Sequence, residues 1–119
     1  MDDTVKDLIK ILPFDEAFKK DLLARYDRLI PDQRLRIDRI IWRIYDELFE
    51  ARLAENIQLA FERAKKNEEK LDGTFYARIR KQTRQKMEKE YSEKEAKVDL
   101  SETREELAEL LKQPKNTSQ

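Results

Sequence analysis

Apolar residues recur at helical intervals along almost the whole chain, and the intervals are broken at prolines and at a single glycine. Val5, Leu8, Ile9 and Leu12 stand at i, i+3, i+4 and i+7, the spacing that lines one face of an α-helix. Asp2, Asp3 and Thr4 offer capping oxygens and negative charge to the positive end of that helix. Pro13 stops it, because proline removes an amide donor and pushes the preceding residue out of α geometry. Phe14, Phe18, Leu22, Tyr26 and Leu29 form a second stripe, widened by Leu23 and Ile30 and closed by Pro31. Asp15 with Lys19, Glu16 with Lys20 and Asp21 with Arg25 are acid-first i,i+4 pairs, each contributing roughly 0.2–0.5 kcal/mol.

From Asp32 to Asp72 no glycine or proline interrupts the chain. Read as one helix, this run is about 60 Å long. A sphere built from a chain of this size is only about 35 Å across. An elongated molecule, or a partner for the helix, is therefore expected. At about 100° per residue, Ile37, Ile40, Ile41, Ile44 and Leu48 cluster on one side of the run. Trp42, Tyr45 and Phe49 lie beside them, and the stripe then drifts to Leu53, Ile57, Ala60 and Ala64. The drift assigns the first half to the two preceding helices and the second half to whatever follows Gly73. Trp42 reads as a core anchor, with an exposed contact residue as the alternative. Any break in the run is expected at Asn56 or Asn67.

Asp72-Gly73-Thr74 signals a turn, with Gly73 placed to cap the long helix in a left-handed conformation. Phe75, Ile79, Thr83, Met87 and Tyr91 follow at strict i+4 spacing, a thin stripe that suits one long neighbour. Asp99 and Ser101 offer a cap for a last helix with Glu102, Glu105 and Glu106 near its start, a Leu107, Leu110 and Leu111 edge, and Pro114 as its stop. The reading is all-α: an elongated bundle of about five helices around one long central helix (~32–72), with an antiparallel helical hairpin of coiled-coil type across Gly73. It forms a single domain over 1–113, with an N-terminal cluster at 3–50, a charged hairpin at 51–98 and an acidic helix at 101–113. A polar tail at 114–119 is expected to be disordered.

Composition changes this picture mainly by exclusion. Charged residues make up 44% of the chain, yet Trp42, five Phe and four Tyr argue for a packed protein. The 26 basic residues balance 26 acidic ones, which argues against broad stickiness toward nucleic acid or anionic membrane. No run is apolar enough to span a membrane and the N-terminus is acidic, so a cytoplasmic protein is expected. There is no histidine and no cysteine, which removes the commonest general base, thiol nucleophile and transition-metal ligands. Ser92, Ser101 and Ser118 have no histidine to activate them, and one glycine cannot build a phosphate-cradling loop. The expectation is a non-enzymatic protein without metal or cofactor.

Two segments look most like interaction sites. Ala77–Lys89 carries Arg78, Arg80, Lys81, Arg84, Lys86 and Lys89 against Glu88 alone. Arg78, Lys81 and Arg84 should form a face opposite the apolar stripe and could neutralise phosphates. The competing reading is a solvated face, with Arg80 and Lys86 pairing Glu50, Glu55 or Glu62. Arg36, Arg39 and Arg43 form a shorter row that reads as an ordinary salt-bridged surface. The acidic last helix is expected to dock on the 77–89 segment by opposed charge, or else to insert its leucines into another protein. The leading functional expectation is a helical adaptor or structural module, with a protein partner or a second copy of itself. Contacts are expected through Leu53, Ile57, Phe61, Phe75, Ile79 and Met87. Binding of RNA or DNA through Arg78, Lys81 and Arg84 is the alternative.

Overall fold

A computed structural model describes residues 4–93 and 98–112. Its described residues form five helices and no strand: α1 (Val5–Ile11), α2 (Glu16–Tyr26), α3 (Pro31–Lys65), α4 (Phe75–Ser92) and α5 (Ser101–Lys112). The chain is all-α with α3 as its long central helix. Its described residues divide into two compact units, one holding residues 4–45 and 98–112, the other 46–93. The roles expected of Asp2, Asp3, Pro114 and the 114–119 tail fall outside the described residues. No described helix is long and apolar enough to cross a membrane.

In the first unit, α1 starts at a reciprocal capping box. Thr4 Oγ1 accepts from the Asp7 amide at 3.2 Å, while the Asp7 carboxylate accepts from the Thr4 amide at 3.1 Å. Leu12 before Pro13 is extended, as the proline requires. The Asp15 carboxylate caps α2 by accepting from the Phe18 amide at 2.8 Å. That role changes the expected pairing. Lys19 turns away from Asp15, lies 3.7 Å from Glu16, and donates to the Lys10 carbonyl at 2.9 Å. Asp21–Arg25 forms as the spacing predicts, at 3.0 Å.

The second helix ends earlier than its stripe implies. Arg28 and Leu29 amides bond to the carbonyls of Arg25 and Tyr26, tightening the chain into a turn after Tyr26. Leu29 is buried nonetheless, and Pro31 opens α3, where its missing amide costs nothing. Leu8, Ile9, Leu12, Leu22, Ile37, Ile41 and Leu107 are fully buried in this unit.

Helix α5 belongs to the same unit, which corrects its expected place on the basic 77–89 segment. Leu107 and Leu110 are buried, and Gln33 Nε2 donates to the Leu110 carbonyl at 3.0 Å. Arg104 donates to Asp15 at 3.0 Å and lies 4.8 Å from the centre of the Phe18 ring. Arg43 donates to Glu106 at 2.8 Å. Apolar burial together with these specific pairs decides the docking, where closeness in sequence and opposite charge had suggested otherwise. The expected cap forms: Asp99 accepts from the Ser101 amide and hydroxyl at 3.0 and 2.6 Å.

The second unit is a helical hairpin of α3 from Asp46 onward and α4. Phe75, Ile79, Thr83, Met87 and Tyr91 are all buried, as their spacing predicts. Phe61 stacks on Phe75 with ring centres 5.2 Å apart. Asn56 Nδ2 donates to Thr83 Oγ1 at 2.9 Å, and that hydroxyl donates to the Ile79 carbonyl at 2.7 Å, so the buried Thr83 hydroxyl is satisfied. Arg52 pairs with Glu90 and lies over the Tyr91 ring.

The long helix stops at Lys65, seven residues short of the expected Asp72. Asn67 takes a left-handed φ of 61°. The Asn67 amide bonds to the Ala64 carbonyl at 3.0 Å and the Glu68 amide to the Arg63 carbonyl at 2.8 Å. These are the two bonds of a Schellman cap. Gly73 has no positive φ and does not cap α3. The hairpin therefore turns through residues 66–74, with Gly73 at the far end of the connection.

Candidate functional site

The second half of α3 carries more apolar surface than α4 covers. Leu53 and Ala60 are buried in the hairpin. Around the helix from them, Ala54, Ile57, Phe61 and Ala64 follow one another at intervals of three, four and three, which makes a straight seam along the helix. With Leu71 from the 66–74 connection, they line a groove of about 650 Å³ whose polar members are Gln58, Glu62 and Lys65. Phe61 remains 40% exposed and Leu71 60%. Neither is explained by packing within the hairpin alone.

One carboxylate holds the wall that carries Leu71. Glu69 is the hub, bonded by Arg63 at 3.3 Å and by Arg78. Arg78 also donates to the Lys70 carbonyl at 2.7 Å, to Thr74 Oγ1 at 3.1 Å and to Asp72 at 3.4 Å. The Arg78 hydrogen bond holds the Glu69 carboxyl below its ordinary range against an opposing desolvation, with Arg63 adding to the effect. Asp72 is lowered in turn by the Thr74 hydroxyl and amide that it accepts.

The expected contact residues separate into two groups. Ile57 and Phe61 line the groove, while Leu53, Phe75, Ile79 and Met87 are buried in the hairpin core. The expected cationic face is divided as well. Arg78 is absorbed in tying the connection, and Arg84 Nε donates to Glu88 at 3.0 Å. Lys81 is exposed and has no ion-pair partner among the described residues. Arg80 reaches Glu50 at 3.8 Å, as the solvated-face reading expects. In the shorter basic row, Arg36 pairs with Asp32 at 3.1 Å.

Trp42 departs from its expected role. It is 38% exposed and meets Tyr45 edge-on, ring centres 6.2 Å apart. The buried arc of α3 runs through Ile37, Ile41, Ile44 and Tyr45, and Trp42, about 140° from Ile37, falls beyond its edge. The sequence alone does not single out Leu71, because a helix running to Asp72 would contain it. Its isolation in the polar stretch Lys65–Thr74 was the available signal. No family model matches the chain, nor does any curated protein or solved structure.

Proposed function

We propose that this chain is a non-enzymatic helical adaptor or structural module that binds a protein through the α3 groove. The observation that carries the reading is the seam of Ala54, Ile57, Phe61 and Ala64 beside an exposed Leu71. A groove with helical spacing on its floor and polar groups at its margin suits an amphipathic helix, which lays apolar anchors into such a surface. Cytoplasmic residence fits the absence of cysteine and is proposed on that basis. Capture from cell extract with nuclease treatment tests the function, comparing the unmodified chain with Phe61→Asp and Leu71→Asp. Partners that survive nuclease and are lost in both variants support docking. Partners retained by both variants would sink it.

Nucleic-acid binding through 77–89 has less behind it, because Arg78 and Arg84 already hold carboxylates. Lys81 and the exposed Lys86 and Lys89 are its remaining support. Neutralising Lys81 should then lower the slope of log affinity against log salt by about one. Absence of any binding at low salt disposes of this alternative.

A further inference from the structure

We infer that the occupant of the groove is a second copy of this chain, its α3 laid antiparallel across the Ala54–Ala64 seam; the inference rests on the protein-docking reading above. The seam is complementary to itself reversed. Its spacing of three, four and three reads the same in both directions, so a two-fold axis near Leu59 sets Ala54 against the copy's Ala64 and Ile57 against its Phe61. Alanines at both ends let the helices approach, and the larger side chains fill the middle.

Charge selects the same orientation. Continued toward the N-terminus, the spacing reaches Glu50 and Glu47, while the other end of the groove carries Lys65. An antiparallel copy brings Lys65 of each chain to the acidic end of the other, twice by symmetry. A parallel copy would set Glu47 and Glu50 against themselves, which costs affinity. Glu50 remains available, since its contact with Arg80 is 3.8 Å long and both side chains are exposed. The seam is only about 15 Å long. So short a seam should bury less than the roughly 1,600 Å² of a standard stable interface, and the dimer should be a weak one.

Sedimentation equilibrium of the full chain from micromolar to about 500 µM tests this. The expected result is a mass rising from 14.4 kDa toward twice that value. Leu71→Asp should raise Kd about tenfold or more with helix content unchanged, and Phe61→Asp, which also gives up its stack on Phe75, should raise it at least as much. Lys65→Glu should weaken the dimer several-fold, and adding Glu50→Lys to it should restore affinity. The chain has no cysteine, so introduced thiols report orientation cleanly. Mixed Ala54→Cys and Ala64→Cys chains should oxidise mainly to the hetero-disulfide, whereas dominant self-linkage of Ala54→Cys overturns the antiparallel arrangement. A mass that stays monomeric across the range overturns the second copy. If extract partners then still depend on Phe61, the docking reading stands without it. If none do, both fall.

Discussion

Asn67, with its φ of 61°, stands where α3 stops. A left-handed residue two past the last helical one lets its own amide reach back to the Ala64 carbonyl and the next amide, of Glu68, to the Arg63 carbonyl. Asparagine tolerates this conformation where alanine pays roughly 1–2 kcal/mol. Asn67→Ala should therefore lower stability by about 1–2 kcal/mol, and Asn67→Gly should leave it unchanged or raise it, both read from urea denaturation midpoints. Gly73 is the contrasting case. Its φ is not positive, and a Cβ placed on it meets nothing within 4 Å. Gly73→Ala should stabilise the chain by about 0.4–1 kcal/mol through the entropy of the unfolded state. A loss of stability on that substitution would contradict the backbone described for the turn.

At the scale of elements, the hairpin shows which parts of the fold periodicity reveals. The α4 stripe was legible because Phe75, Ile79, Thr83, Met87 and Tyr91 answer to a single neighbour, so burial follows spacing alone. The end of α3 is legible only in part. Asn67 stands out with Asn56 as a possible break, but Lys65–Asp72 has no glycine or proline. Spacing alone does not show that the backbone of Asn67 turns left-handed or that Arg63 and Arg78 converge on Glu69. Three of the groove's apolar members are legible in the sequence, Ile57 and Ala64 on the drifting stripe and Phe61 as an expected contact residue, but periodicity cannot divide a continuous apolar stripe into a covered face and an open one. Helix α5 illustrates the same limit: its leucines were visible, and the surface receiving them was not. The Glu69 hub gives a test at this scale. Glu69→Gln keeps the side chain's shape but removes the charge that Arg63 and Arg78 share. Amide hydrogen exchange across 66–74 should accelerate, and neutral-pH stability should fall. Asp21→Asn, which breaks the exposed pair with Arg25, should leave both nearly unchanged.

For the whole molecule, the missing histidine and cysteine set an unusual pH profile. Apart from a terminal amine, no group has an ordinary pKa between the carboxylates and the tyrosines. Stability should therefore be nearly flat from about pH 5.5 to 9. On the acid side, Asp15, Asp27, Glu69, Asp72 and Asp99 all lie below their ordinary values because the folded chain hydrogen-bonds their ionised forms. Their stabilisation is complete above the unfolded values, 3.8 for aspartate and 4.5 for glutamate, and is lost as pH falls through the lower folded ones. Protonation also leaves 26 basic residues unopposed, so self-repulsion adds to the loss. On the alkaline side the sign reverses. Burial and the 2.6 Å bond to Asp38 push the Tyr26 phenol up to about 12 from an ordinary 10.0, so its contribution holds below pH 10 and disappears as pH rises through the folded value. Urea midpoints from pH 3 to 11 should trace a plateau with a steep acid edge. Tyr26→Phe should flatten the alkaline decline and leave the acid edge in place, because the carboxylates that set that edge remain bound. A midpoint that moves appreciably between pH 6 and 8 would mean that some other group titrates on folding.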